Sequence, residues 1–224
     1  MKQVKRYTLT LLLLCIAGAT FAQEGSILVG VRGGYNETFG NFSAISLEAQ
    51  HTFSEHFALE GGFQQNTYER FVAEVRPSYH HKLEFGDLQV EALAHYTTLQ
   101  SIQTCALGIG VGLTTSHLFA TVGYYFRTLQ GSSTLLTEPF NLLYEFGVSC
   151  LPKLDDWALK IALTNCRNFD LDRHYQPSLY IDGWWYPSEK IGVMLGASYK
   201  PTGVFHISST FYQFYANFGV CYRW

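Results

Sequence analysis

The residues best suited to covalent chemistry lie near the C-terminus, where His206 and Ser208 stand two positions apart. In a β-strand these positions share a face, so the imidazole could act as a base for the serine hydroxyl. A complete relay also needs an acid to orient the histidine. No Asp or Glu follows Glu189 in the sequence. We therefore predict a protein without enzymatic activity and keep His206 and Ser208 as alternative catalytic candidates.

Two other groups of residues could bind a metal ion. His80 and His81 are adjacent, so in a strand they point to opposite faces and cannot easily bind the same metal ion. We interpret them as a feature of the rim of a β-barrel. Asp170, Asp172 and His174 could offer hard oxygen ligands to a divalent cation, but such a cluster is usually a solvated loop tip, which is our interpretation. The sequence contains no phosphate-binding glycine loop and no Cys-x-x-Cys motif. We predict neither a metal nor a cofactor.

The composition excludes several classes of protein. The 224 residues include 15 Lys and Arg against 18 Asp and Glu, and the net charge is −3. This balance offers no basic surface for nucleic acid. Charged residues make up only 15% and aromatic residues 16%, which argues against intrinsic disorder. The chain should bury or embed a large apolar surface.

The first 22 residues have the pattern of a secretory signal peptide. Lys2, Lys5 and Arg6 precede an apolar stretch over Leu9–Ala19, and small residues flank a cleavage site before Gln23. The apolar stretch is too short for a membrane anchor, which needs about 20 residues. We predict that residues 1–22 are removed on export.

Residues 23–224 alternate between apolar and polar side chains with a period of two, which predicts β-strands. About twelve such segments lie near 26–37, 42–53, 57–67, 69–81, 87–98, 103–115, 117–128, 141–151, 157–167, 177–187, 190–200 and 211–224. Most are longer than a typical soluble strand and match the ~9–11 residues that a tilted strand needs to cross a bilayer. The predicted fold is all-β: one antiparallel up-and-down transmembrane β-barrel of about twelve strands.

The connections between these segments alternate in length. Short turns follow the even-numbered strands, whereas several longer loops follow odd-numbered strands, notably Leu129–Asn141, Asn168–Pro177 and Pro201–Thr210. Short turns at one rim and long loops at the other are typical of outer-membrane barrels. An even number of strands places both termini on the short-turn, periplasmic side. The loops Leu129–Asn141 and Asn168–Pro177 are the predicted contact surfaces.

These features together resemble the bacterial outer-membrane β-barrel proteins. The last strand strengthens the resemblance, because it alternates apolar residues and ends on an aromatic one, similar to the signal read by the barrel-assembly machinery. The predicted signal residues are Phe214, Phe218, Val220, Tyr222 and Trp224. The resemblance implies an outer-membrane location, contact with outer-membrane lipid and lipopolysaccharide, and the assembly machinery as a partner. It spans residues 23–224 but concerns architecture rather than activity.

The segment around His206 also resembles a fragment of the His-x-Ser-Asn motif of outer-membrane lipid A deacylases. In that family the serine is the nucleophile and the histidine is the base. This chain has Ser209 at the asparagine position, and the missing acid is a second departure.

Function must then come from the residues that face the lumen. The predicted inward charged residues are Arg32, Glu48, Glu60, Glu74, Arg76, Glu91, His95, Arg127, Glu145, Lys160, Asp182 and Lys200. They could line a selective pore or pair with one another and close the lumen, since about eight strands are filled by side chains and sixteen leave a channel. We predict a narrow small-solute channel or a closed structural, anchoring barrel. A lipid A-modifying hydrolase and a barrel subunit of a secretion or conjugation complex are the alternatives.

Overall fold

The alternating sequence produces long strands. These strands pair side by side around a closed barrel, so each of them has a partner on both edges. The computed structural model describes residues 24–36, 40–132, 134–150, 156–167, 169–173, 176–200 and 213–224. Among them, the twelve strands of the barrel are β1 Glu24–Asn36, β2 Gly40–Thr52, β3 Phe57–Asn66, β4 Phe71–Leu83, β5 Gly86–Leu99, β6 Ile102–Thr114, β7 Leu118–Gln130, β8 Leu135–Cys150, β9 Trp157–Thr164, β12 Ser178–Ser188, β13 Ile191–Tyr199 and β14 Phe214–Arg223. Two short strands, β10 Cys166–Arg167 and β11 Asp170–Leu171, form a separate two-stranded sheet.

The barrel closes where the first and last strands meet. β1 pairs antiparallel with β14, from Ser26 opposite Arg223 to Tyr35 opposite Phe214. Every other barrel strand pairs with its neighbours in sequence, except that β9 pairs with β12 across the inserted sheet. A closed barrel leaves no strand edge unpaired, as hydrocarbon requires. The predicted antiparallel up-and-down barrel of about twelve strands is confirmed.

The alternation separates an apolar outer surface from a polar and aromatic interior. Ile45, Leu107 and Leu195 each expose more than 60% of their surface on the outside. Inward positions such as Tyr125 and Tyr215 are buried. In the described part of the chain, no helix is long and apolar enough to span a bilayer.

The last strand places its alternate apolar residues on the outer surface. Phe214, Phe218, Val220 and Tyr222 are all exposed there. The ring of Trp224 lies 5.5 Å from that of His51, and the indole covers Gly25 on the neighbouring strand. Recognition of these residues by the assembly machinery stays a prediction.

The predicted loop Leu129–Asn141 is wrong. β7 continues to Gln130, and β8 already begins at Leu135. Between Tyr125 and Arg127 of β7 the partner strand advances from Asn141 to Glu138, so β8 carries one extra residue. Such a bulge reverses which face each later side chain occupies. The alternation therefore breaks in the sequence although the strand continues.

We expect Gly123→Ala to destabilise the barrel wall by about 1–3 kcal/mol, because overpacking has a cost of this size. A Cβ atom at Gly123 would lie 2.2 Å from the carbonyl oxygen of Ile109 and 2.7 Å from Cα of Gly110. Urea unfolding of the folded protein in detergent, followed by tryptophan fluorescence, measures the change. Gly183→Ala is the matched control, since its Cβ would meet no atom closer than 3.8 Å. Equal effects of the two substitutions would contradict the prediction.

Candidate functional site

The chain leaves the barrel wall after Thr164, and the side chain of Asn165 makes this departure feasible. Oδ1 of Asn165 accepts a hydrogen bond from the backbone N–H of Tyr144 at 2.8 Å. Its Nδ2 donates to the carbonyl oxygens of Leu142 at 2.7 Å and Asp172 at 3.0 Å. The amide thus takes the place of the next residue of β9, so buried backbone groups of β8 keep their partners.

Beyond Asn165 the chain folds into the lumen as a short hairpin. We call residues 165–173, described except for position 168, the luminal hairpin. Cys166 pairs with Leu171 and Arg167 with Asp170. Phe169, between the two short strands, has a φ of 67° and is buried. The hairpin therefore lies inside the barrel rather than above it.

This placement overturns the interpretation of Asp170 and Asp172 as a solvated loop tip. Both residues are buried, with about 1–2% of their surface exposed. A short polar segment has the composition of a surface loop, but here the opposing charges of the wall make its burial possible. The prediction that the loop Asn168–Pro177 forms a contact surface is wrong for the buried residues 169–172. His174 lies outside the described residues.

Asp170 is held by two arginines of the wall, Arg32 on β1 and Arg70 just before β4. Its Oδ2 lies 2.7 Å from Nη1 of Arg32, and its Oδ1 lies 3.3 Å from Nη2 of Arg70. Nη2 of Arg70 also donates to the carbonyl oxygen of Phe169 at 3.0 Å. The guanidinium of Arg32 in turn lies 3.9 Å from the centre of the Tyr215 ring. The hairpin tip is thereby fixed to two sides of the barrel.

Asp172 is paired with Lys200, which follows β13. Nζ of Lys200 lies 2.8 Å from Oδ2 of Asp172. The hydroxyl of Tyr125 donates to the carbonyl oxygen of Asp172 at 2.6 Å, and Nη1 of Arg127 donates to that of Leu171 at 3.4 Å. Burial raises the pKa of Asp172 to about 6, although Lys200 acts in the opposite direction, and burial lowers the pKa of Lys200.

One face of the hairpin is apolar and packs against the wall. Its side chains join a buried cluster made up of Leu93, Ala106, Tyr125, Leu143, Cys166 and Leu171. On the opposite side, the ring of Phe169 comes so close to Gly62 that a Cβ there would lie 3.0 Å from it. Arg70, His95, Arg127 and Asp172 help to line a cavity of about 20 Å³, which is room for about one water molecule. The hairpin therefore fills part of the lumen at this level.

A second cluster links the wall to the hairpin on the side of the short turns. Oε1 of Glu74 accepts from Nε of Arg76 at 2.7 Å, and its Oε2 lies 2.9 Å from Nδ1 of His95. Nη2 of Arg76 donates to Sγ of Cys166 at 3.2 Å. Glu74 and His95 are buried, so this cluster forms a fixed support for the hairpin.

The other charged residues predicted to face inward are distributed over separate contacts. Asp182 pairs with Arg167 of the hairpin, and Arg127 pairs with Glu138. The hydroxyl of Tyr180 donates to Glu145 at 2.6 Å.

Nearer the short turns, Nζ of Lys160 lies 5.7 Å from the centre of the Phe119 ring. Glu91 accepts a long 3.4 Å hydrogen bond from Gln89. Glu48 and Glu60 are partly buried. The charged residues therefore divide into a paired set around the hairpin and a second set nearer the short turns.

Sequence reasoning did not select several residues that hold the hairpin. Arg70 lies just before β4, Glu138 lies within the bulge, and Arg167 and Arg173 belong to the inserted segment. Glu138 pairs with both Arg127 and Arg173. The signal in the sequence was the charged segment Asp170-Leu171-Asp172-Arg173, which suits a paired interior as well as a loop.

Comparisons with known proteins identify the architecture. No protein-family model and no curated protein matches the sequence. Among solved structures, the NanC porin superposes with a TM-score of 0.59 at 14% identity, covering 87% of this chain and 98% of that one. The KdgM porin gives 0.53 at 12% identity, covering 88% and 98%. The chain has the fold of an outer-membrane β-barrel.

A third similar structure is the translocator domain of the autotransporter NalP from Neisseria meningitidis. Its TM-score is 0.55 at 11% identity, covering 100% of this chain and 98% of that domain. Because these identities are low, the likeness extends to the outer-membrane barrel fold alone.

Three predicted features lie outside the described residues. They are the catalytic candidates His206 and Ser208, the loop Pro201–Thr210 and the signal peptide over residues 1–22. All three stay predictions.

We expect acidification to strengthen the docking of the hairpin. The pKa of Asp172 is about 6 when docked and would be about 3.9 in water. The docked state therefore binds the proton more tightly, and the resulting stabilisation is complete below about pH 4 and lost as the pH rises through about 6. Channel conductance in planar bilayers should be lower at pH 5 than at pH 8. Asp172→Asn should remove this difference, and an unchanged pH dependence in that variant would contradict the assignment.

Proposed function

We propose that this barrel is a narrow channel for small anionic solutes in the bacterial outer membrane, closed at rest by the luminal hairpin. The observation that carries the proposal is the pairing of Asp170 with Arg32 and Arg70. An anionic solute can displace the Asp170 carboxylate from its ion pairs with the arginines. An interior closed by apolar packing alone would contain no such charged group for a solute to displace. The hairpin carboxylates occupy a site that an incoming carboxylate or other anion fits equally well.

The charge distribution supports this choice of solute. Arg32, Arg70, Arg127 and Lys200 approach the hairpin from different strands or strand ends. Guanidinium groups bind carboxylates through paired N–H donors, which gives geometric selectivity as well as charge. Among the similar structures, the KdgM porin has been solved in complex with oligogalacturonate, a chain of carboxylated sugars. A solute of the same charge is the natural competitor for the hairpin.

The same architecture supports a proposal for the cellular placement. We propose that the chain is exported with a cleaved signal peptide and inserted by the barrel-assembly machinery. Its apolar outer surface contacts outer-membrane lipid and lipopolysaccharide, and both termini face the periplasm. The exposed outward residues of β14 and the even number of strands support this orientation.

Conductance of the purified protein in planar bilayers tests the channel directly. We expect rare stepwise openings, with Glu91→Lys shifting the ion selectivity of the open state toward anions, because Glu91 faces the lumen beside Gly110. Glu55→Lys, on an exposed turn, should leave selectivity unchanged. Addition of oligogalacturonate should raise the frequency of openings if an anion competes for the arginines.

If the inserted protein shows no conductance, and variants with a weakened hairpin show none either, the proposal of a channel is contradicted. That result would instead favour the second candidate, a closed anchoring barrel. The observation that favours this candidate is the tight contact of the hairpin with opposite walls, where the cavity beside Arg70 and Asp172 has a volume of about 20 Å³.

A further inference from the structure

A serine, a histidine and an aspartate lie in line at the short-turn end of the lumen. Oγ of Ser78 is 3.0 Å from Nε2 of His80, and Nδ1 of His80 is 2.8 Å from Oδ2 of Asp87. An ionised carboxylate only accepts hydrogen bonds, so Nδ1 carries the proton and Nε2 presents its lone pair to the serine hydroxyl. This is the connectivity of the serine hydrolase triad, in which the same two ring nitrogens have the same two roles.

The strands fix this arrangement. Ser78 and His80 are two apart on β4 and share a face, while Asp87 lies near the start of β5, opposite Lys82. The backbone N–H of His80 donates to the carbonyl oxygen of His56 at 2.7 Å, and Nδ1 of His56 lies 3.0 Å from the carbonyl oxygen of His80. The backbone of His80 is therefore fixed at both its N–H and its carbonyl oxygen.

The adjacency of His80 and His81, interpreted from the sequence as a rim feature, conceals this relay. The two side chains do point to opposite faces, and His81 is exposed on the outside. Ser78 and Asp87 become partners of His80 only through the pairing of β4 with β5.

A second relay with the same connectivity lies higher in the barrel and provides an internal comparison. His95 contacts Glu74 through Nδ1 and the hydroxyl of Thr97 through Nε2, both at 2.9 Å. The side chain of His95 is only 3% exposed, and the cavity beside it has room for about one water molecule. That relay supports the hairpin and offers no space for a substrate.

The lower relay is accessible. The side chains of His80 and Asp87 are 27% and 38% exposed. Ala58, the residue opposite Ser78 on β3, has a small side chain. Opposite His80 on β5 is Gln89, and opposite Ser78 is Glu91, which accepts a long 3.4 Å hydrogen bond from Nε2 of Gln89. The amide of Gln89 is a donor of the kind that stabilises a negatively charged oxygen during acyl transfer.

We propose that Ser78, His80 and Asp87 form a hydrolytic site for small carboxylic esters that reach the short-turn mouth of the lumen. This activity goes beyond the channel, which requires no chemistry. The hydroxyl of Ser78 attacks the ester carbonyl carbon while Nε2 of His80 takes its proton. The carbon–oxygen bond to the alcohol then breaks, and the alcohol leaves with that proton.

Water completes the reaction. It attacks the acyl-serine, its proton passes through Nε2 of His80 to Oγ of Ser78, and the carboxylic acid is released. The net reaction converts one ester and one water into one acid and one alcohol. Asp87 is a positioning residue that holds the imidazole in the required tautomer.

The test treats the full-length folded protein in detergent with a fluorescent fluorophosphonate and, separately, with p-nitrophenyl butyrate. We expect a covalent adduct that peptide mass spectrometry locates on Ser78, and hydrolysis of the p-nitrophenyl ester. Ser78→Ala should abolish both. Asp87→Asn should slow labelling and hydrolysis by about 10³-fold or more, since an unfavourable histidine tautomer has an effect of this order.

Thr97→Val is the matched control, because it removes the hydroxyl of the buried relay and should leave labelling unchanged. Heat-modifiable electrophoretic mobility confirms that each variant is folded. Absence of an adduct on folded wild-type protein would overturn the proposal. So would equal hydrolysis by wild type and Ser78→Ala, or an undiminished rate in Asp87→Asn.

Discussion

Asp170→Asn should convert the barrel from mostly closed to mostly open. The carboxylate of Asp170 is almost completely buried between Arg32 and Arg70. Removal of one partner from a buried ion pair costs about 3–5 kcal/mol, because the remaining charge stays buried without compensation. If release of the hairpin restores hydration to both arginines, the closed-to-open equilibrium shifts by roughly 10²- to 10⁴-fold. Single-channel recording in planar bilayers measures the change as open probability.

The control for this variant is Glu189→Gln, which removes a carboxylate from an exposed turn at the opposite rim. It should leave open probability unchanged. An Asp170→Asn protein that inserts normally and stays as closed as wild type would contradict the role of these ion pairs. Arg32→Gln offers an independent check, since it breaks the 2.7 Å pair from the wall side and should act in the same direction.

Asn165→Ala should give the second large effect, on stability as well as on gating. The side chain is almost completely buried and bonds the backbone of both Tyr144 and Leu142. Each buried polar group left without a partner costs about 1–3 kcal/mol. We therefore expect a loss of about 2–6 kcal/mol in the free energy of unfolding, measured by urea titration in detergent. Loss of the bond to Asp172 should also raise open probability.

Asn41→Ala serves as the matched control for Asn165. This asparagine is exposed on β2 and should change stability by less than about 0.5 kcal/mol. An effect of Asn165→Ala equally small would mean that the departure of the chain from the wall needs no side-chain substitute.

Together the two variants separate the wall from the hairpin. Asp170 belongs to the hairpin and pairs with Arg32 and Arg70 of the wall. Its substitution should therefore leave the free energy of unfolding of the barrel largely unchanged. Asn165 contributes to both the wall and the hairpin, because its side chain forms hydrogen bonds with Tyr144 of β8 and with Asp172 of the hairpin. A gating effect in both variants and a stability effect in one is the expected combination.

The barrel itself was predictable from the sequence because its determinant is local. Each strand must alternate between lipid and lumen, so residues such as Phe214 and Tyr215 reveal opposite faces without knowledge of their neighbours. The number of strands and their antiparallel order follow from counting these alternations and the connections between them. The bulge in β8 escaped this reasoning, since a single extra residue inverts the alternation while pairing continues.

The candidate site was predictable only in its inventory of charges. Arg32 and Lys200 could be assigned to the interior from strand parity alone. Their partners Asp170 and Asp172 could not, because a short charged segment between two strands reads as a surface loop.

The barrel wall follows from the sequence alone, because a two-residue repeat specifies the wall positions outside the β8 bulge. The state of the lumen follows only from the folded arrangement of the chain. Asp170 pairs with Arg32, which is 138 positions away in the chain. His80 pairs with Asp87, which is 7 positions away and on the next strand. Such contacts have no local pattern, since burial of a charge becomes favourable only when the closed barrel has already placed the opposite charge beside it.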